Sequence, residues 1–433
     1  MMTKFKALGL SDGMIEAIRG AHFTEPSEIQ EKTIPLVLSG KDVIGKSATG
    51  SGKTLAFGAG IIEKVQRYHG IQALILTPTR ELAEQITQTL KKFSGYKGLN
   101  IDEVYGGVSM GPQISKLRYA EIVVGTPGRI LDHLERRTLR LNQVKYLVLD
   151  EADRMLDMGF IKDVEKIIQM CPVERQTLLF SATISDDIEH ISKKYMINPV
   201  KITVGDQVDP AQLYQKYYDV PQEMKFSLLA YLLRLERKGV VMVFCNTRRN
   251  VDHVTRALYQ NGINALAIHG GLSQNRRNET MEAFHSRKAL ILVCTDVAAR
   301  GLDIKDVSHV YNFDLPNSGT DYIHRIGRTA RAGKNGIAIS FVGSGEHGEF
   351  RNISRDKNLE IEKVMVPENI HVLPHVISAP SRGTMGRGRR GGGRPVRGHY
   401  GGNRNFQSEA QKYGRAKKRT DGPHRRKKNK RRY

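Results

Sequence analysis

Residues 42–65 read DVIGKSATGSGKTLAFGAGIIEKV, a short apolar run, a glycine-rich turn and then a stretch with helical spacing. A strand, a glycine turn and a helix in that order form the setting in which backbone N–H groups close on phosphate. The turn is Ser47–Ala–Thr–Gly–Ser–Gly–Lys–Thr54. Gly50, Ser51 and Gly52 supply the cradle, Lys53 reaches the outer phosphates, and the Thr54 hydroxyl can ligate Mg²⁺. Ser47 stands where the general pattern has glycine.

Working outward, apolar runs recur as ALILTP from 73, EIVVGTP from 121, KYLVLD from 145 and QTLLFSAT from 176, with amphipathic stretches between them. Continuous apolar strands separated by helices predict a parallel sheet covered on both faces. The polar segment TVGDQVDPAQ from Thr203 predicts a linker, after which the alternation restarts with GVVMVFCNT at 239, NALAIHG at 264 and ALILVCTD at 289. The expectation is two α/β domains in tandem, 1–204 and 213–366, joined by a linker at 205–212. Residues 367–433 are expected to be disordered: too little apolar side chain is present to offset chain entropy.

Charge separates that tail from the body. The net formal charge is +23, of which residues 381–433 hold +17, with 19 Lys and Arg against Glu409 and Asp421. A polycation of this kind attracts a polyanion with steep salt dependence. No run is apolar and long enough to cross a bilayer, and the N-terminus lacks a secretory signal. The three cysteines, Cys171, Cys245 and Cys294, show neither zinc nor disulfide spacing, so a cytoplasmic protein is expected.

Asp150–Glu–Ala–Asp153 closes the run KYLVLD. Carboxylates at the C-terminal end of a buried parallel strand stand well beside a phosphate loop. Asp150 can hold Mg²⁺, and Glu151 can orient or deprotonate an attacking water. Together the two segments specify a nucleoside triphosphatase.

With that literal DEAD tetrapeptide the chain resembles the DEAD-box RNA helicases of superfamily 2, and further segments fall in the family's order. Phe23–Thr–Glu–Pro–Ser–Glu–Ile–Gln30 resembles the adenine-reading Q motif, with His22 where the family prefers glycine. The resemblance implies that Gln30 bonds adenine and that Phe5 stacks on it. It implies two RecA-like domains, ATP and Mg²⁺ as ligands, and RNA as partner. Pro78, Thr79 and Arg80, Gly106 and Gly107, and Thr126, Pro127, Gly128 and Arg129 match segments that grip the RNA backbone. Ser181–Ala–Thr183 matches the segment coupling hydrolysis to strand opening.

No second phosphate loop follows residue 212. The second half carries His324–Arg–Ile–Gly–Arg–Thr–Ala–Arg331 instead. By resemblance, Arg328 and Arg331 are arginine fingers and His324 links nucleotide state to closure. Asp303 contacts the ribose, and Thr295, Gly301 and Gly271 lie near RNA. Phe244 to Thr247, and His269 and Gly270 with Gln274 and Arg277, match the remaining segments. Cys245 and Cys294 are expected in the core. A monomer is expected, with little sequence preference for RNA and no membrane association. Two alternatives stay open: a DNA-directed translocase, and a passive RNA chaperone or annealing protein acting through the tail.

Overall fold

The computed structural model describes residues 3–47, 50–204, 213–235, 239–299, 302, 304, 306–330, 335–355 and 359–373. The linker 205–212, residues 374–433, and Gly301, Asp303 and Arg331 lie outside the described residues. Of the tail expected to be disordered from 367, residues 367–373 are described; there Ile370 and Leu373, being apolar, pack against the core of the second half.

The first sheet holds β1 (Val43–Lys46), β2 (Ala73–Leu76), β3 (Ile101–Val104), β4 (Ile122–Gly125), β5 (Tyr146–Leu149), β6 (Gln176–Ser181) and β7 (Val200–Thr203). The second holds β8 (Leu213–Asp219), β9 (Val240–Phe244), β10 (Ala265–Ile268), β11 (Ile291–Cys294), β12 (Val307–Asn312), β13 (Gly336–Val342) and β14 (Ile361–Val364). Their orders are β3-β4-β2-β5-β6-β1-β7 and β10-β11-β9-β12-β13-β8-β14, the same permutation twice. All pairs are parallel, as the apolar runs require.

Alternation along each strand divides the interior into layers. Ile75, Val148 and Phe180 face one core, and Leu74, Leu147 and Leu179 the other. Every residue of β2 and β4 is buried, which explains why those strands read as unbroken apolar runs. Cys245 and Cys294 lie wholly inside the second half, where burial pushes both thiols up. Among the described residues, no helix is long and apolar enough to cross a membrane.

Some elements escape an apolar-run reading. β3 (IDEV), β7 (VKIT), β8 (LYQKYYD) and β14 (IEKV) lie at or next to sheet margins and carry charges. Thr203, at the head of the polar segment, closes β7 in register with Lys46, just ahead of the linker expected at 205–212. Helices Thr3–Ala7 and Asp12–Gly20 also precede the first expected strand.

Candidate active site and nucleic-acid interface

In both sheets the expected functional segments leave the C-terminal ends of strands, where open α/β sheets bind ligands. Gly50 and Gly52 both adopt left-handed backbone, φ 85° and 94°. A Cβ on Gly52 would lie 2.3 Å from Gln30 Nε2, so glycine is required there for contact as well as for φ. Gln30 Nε2 donates to the Gly52 carbonyl at 3.1 Å, and its Oε1 accepts from Ser27 N–H at 3.0 Å. The Ser27 hydroxyl donates to the Ser51 carbonyl at 2.8 Å, so the loop is laced to the segment before it. Lys53 opens the helix Lys53–Lys64 and donates to the Ser47 carbonyl at 3.1 Å.

Opposite the loop, Asp150 follows β5 and is almost fully buried. Burial pushes its carboxyl up to about 6, against the downward pull of the Lys53 ammonium. Glu151 sits in left-handed backbone, φ 49° and ψ 50°, a conformation costing roughly 1–3 kcal/mol that recurs at functional sites. One of its carboxylate oxygens, Oε2, is buried with no hydrogen-bond partner. An unpartnered buried carboxylate oxygen beside the buried Asp150 carboxyl is chemistry that would suit a hard divalent cation. Thr54 lines the same cavity.

Asp153, which the sequence presented only as the end of its tetrapeptide, ties this strand to β6. Its Oδ2 accepts from Ala182 N–H, Thr183 N–H and the Thr183 hydroxyl at 3.1–3.2 Å. The Ser181 hydroxyl donates to the Thr183 carbonyl at 2.6 Å. One side chain thus links the carboxylate strand to the Ser181–Thr183 turn.

The second half enters the same space. A cavity of about 340 Å³ is lined by Lys53, Thr54, Asp150 and Glu151 from the first half and by Leu302 and Arg328 from the second. Arg328 is buried and donates to the Leu302 carbonyl at 3.1 Å. His324 lies in the last turn of helix Gly319–Ile326. Arg325, in the same segment, is not a solvent-facing cation. It is 1% exposed, paired in bidentate fashion with Asp296 at 2.6 and 2.7 Å, and bonded to Asn246 and the Asp314 carbonyl. It ties together the turns after β9, β11 and β12.

The structure corrects the stacking residue. Phe5 is wholly buried in the core beside Met14 and Ile18, with no ring face left for a base. Phe23 instead is 39% exposed, lies 6.0 Å from the Phe93 ring, and lines the cavity with Gln30. The sequence held a signal, since Phe23 opens the same motif that ends at Gln30.

The remaining segments form a second surface. Pro78, Thr79 and Arg80 follow β2, Gly106 and Gly107 follow β3, and Thr126 to Arg129 follow β4, three neighbouring strands. A Cβ on Gly107 would come 2.1 Å from Arg80 Nη1, so any other residue there would push the guanidinium aside. Arg129 donates to the Val108 carbonyl at 3.1 Å. Thr79 and Thr126 stand at the N-termini of the helices Arg80–Ser94 and Pro127–Glu135, whose first N–H groups suit phosphate. In the second half, Thr295 follows β11, and Gly271 donates its N–H to His269 at 3.1 Å. Across the halves, Arg277 pairs with Glu81 at 2.7 Å, both side chains largely buried.

Two family models match the chain, DEAD/DEAH box helicase over residues 27–191 and helicase conserved C-terminal domain over 224–333. The chain belongs to the DEAD-box RNA helicase family. An ATP-dependent RNA helicase of Listeria monocytogenes, CshA, is 47% identical over 369 residues, 84% of this chain and 71% of that one. Among solved structures, Saccharomyces cerevisiae Dbp5 bound to RNA and ADP BeF3 superposes with a TM-score of 0.76 at 32% identity, covering 83% of this chain and 95% of that one. A DEAD box protein from the hyperthermophile Methanococcus jannaschii gives 0.51 at 45% identity, covering 83% and 98%. This DEAD-box chain is thus an ATP-dependent RNA helicase, with RecA-like halves and an ATP-hydrolysing site; a purely passive chaperone is not favoured.

Proposed function

We propose that the helicase hydrolyses ATP only when its halves close on RNA, with Mg²⁺ held by Thr54 and Asp150. The observation carrying this reading is the single cavity lined by Lys53, Asp150 and Glu151 on one side and Arg328 on the other. With the halves apart, Arg328 leaves that space and the transition-state charge loses a cation. Superposition on Dbp5 bound to RNA and ADP BeF3, at a TM-score of 0.76, supports a closed arrangement here.

Within the closed site Lys53 binds the outer phosphates, and Phe23 and Gln30 hold the base. Glu151 orients the attacking water and takes its proton through the unpartnered oxygen. The cation, when bound, neutralises phosphate charge. RNA lies across the loops after β2, β3 and β4 and those around Gly271 and Thr295. Contact with 2′-hydroxyls selects RNA over DNA. The closed form holds one bent strand, a shape a duplex does not keep, and so opens short helices. The basic tail tethers RNA without sequence preference, and the chain acts as a monomer.

ATP turnover measured with and without single-stranded RNA, against an equal-length DNA strand, tests the gating. Stimulation by RNA alone is expected, and Glu151→Gln should lower turnover by about 10²–10⁴-fold while ATP still binds. Equal stimulation by DNA defeats the RNA selectivity, and high turnover without nucleic acid defeats the gate. Deleting residues 381–433 should weaken RNA binding and flatten its salt dependence. An unchanged salt slope removes the tether.

A further inference from the structure

The margin of the first sheet away from the RNA loops carries a slot that neither ATP nor RNA chemistry uses. β7 ends the sheet at the side opposite β3 and β4. Between β1, β7 and the helix Asp186–Tyr195 lies a cavity of about 560 Å³. That helix packs Ile188 and Ile191 into the core with Ile44 and Leu179. Helix Glu28–Leu38 covers β7 from the other face, where Ile202 joins the core of Ile29 and Val37.

Register decides what the slot presents. Ile44 lies opposite Lys201 and Lys46 opposite Thr203, so these four side chains share its face. One wall is apolar: Ile184 is 38% exposed, above the buried Ile188 and Met196. The other wall is cationic. Lys46 and Lys201 are exposed and form no ion pair among the described residues, while the slot's acid, Glu189, is bound to Lys193 at 3.0 Å. The backbone is available as well. Val200 N–H donates to Asp42 at 2.8 Å and Val204 N–H to Lys46 at 3.0 Å. In a parallel ladder that alternation turns the N–H and C=O of Lys201 and Thr203 outward, an edge able to accept another strand.

We propose that this slot binds an acidic, aliphatic segment of a partner protein, added as a strand to β7. Outward N–H and C=O groups supply the main-chain bonds of strand addition. Carboxylates meet Lys46 and Lys201, and alternate aliphatic side chains reach Ile184 and Met196. Single-stranded RNA fits less well, because neither an aromatic ring nor an arginine lines the slot for a base to stack on. The slot and the ATP cavity share no lining residue.

The test uses the full chain and a fluorescent nonapeptide of alternating Glu and Val, read by anisotropy. A Glu–Ser peptide of equal charge reports attraction to the basic tail, and a Lys–Val peptide reports apolar contact alone. The Glu–Val peptide should bind at least about tenfold more tightly than either, with Lys201→Glu costing about tenfold. Thr203→Pro, which removes only an outward N–H, should weaken binding in the same way. RNA-stimulated ATP turnover should be unchanged in both variants, which certifies their fold. Equal binding of Glu–Val and Glu–Ser, insensitivity to both substitutions, or displacement by an oligouridine each overturns the proposal.

Discussion

β1 and β8 occupy the same place in their sheets, and each is followed by a helix whose first residue is lysine. What stands before that lysine separates the halves. In the first, Gly50 and Gly52 take left-handed backbone, and Lys53 lines an open cavity. In the second, Val220 to Met224 replace the glycine loop, and Lys225 is wholly buried. Its ammonium pairs with Glu346, which also accepts from Gly343 N–H at 2.8 Å. The second half thus supplies an internal carboxylate where the first leaves room for a phosphate. Shared topology fixes where a site can lie, and the loop decides whether there is one.

If the second half has surrendered nucleotide binding, its chemical role must come from elsewhere on its surface, which is Arg328. Replacing Arg328 with Ala should lower RNA-stimulated turnover by about 10³-fold or more. Affinity for an ATP analogue in the absence of RNA should stay close to that of the parent. Turnover within tenfold of the parent would return the whole reaction to the first half.

The two lysines should then fail in opposite ways. Lys53→Ala should abolish turnover while moving the denaturation midpoint little. Glu346→Gln leaves the wholly buried Lys225 ammonium without its counter-charge, and should cost about 2–4 kcal/mol. The Glu346 side chain is 27% exposed, which keeps the figure below that of a fully buried pair. Chemical denaturation with a probe in the second half reads the loss, and turnover per folded molecule should be unchanged. A drop in turnover without a drop in stability would mean that the second lysine still serves the reaction.

The same contrast explains what the sequence could reveal. Phosphate loop and carboxylate strand were legible because their chemistry needs particular residue types at fixed short spacing. Arg325 was not, because its partners Asn246, Asp296 and Asp314 come from three strand ends scattered over 69 positions. In one dimension it is a cation in a charged run; folded, it is a buried tie. β7, β8 and β14 hid for a related reason: a strand at or near a margin is half wet, so charges interrupt its apolar run. Asp153 was in plain view, yet its bonds to Ala182 and Thr183 appear only when β5 and β6 lie side by side.

The first half also has a segment ahead of its first strand that brings Phe23 and Gln30 to the lining of the ATP cavity. Phe5 and Phe23 are both aromatics upstream of Gln30, and only burial tells them apart. Conservative substitution isolates the difference, since leucine keeps most of the volume and removes the flat π face. Phe5→Leu should lower stability by about 1–2 kcal/mol, the cost of a small void in the core, and leave KM for ATP unchanged. Phe23→Leu should leave stability nearly unchanged and raise KM by about tenfold, the loss of one base-stacking contact worth about 1–3 kcal/mol. If that increase is equal for ATP and for inorganic triphosphate, the ring does not touch the base. If it vanishes for triphosphate, which has no base to stack, Phe23 is the residue that makes this loop an adenine site as well as a phosphate site.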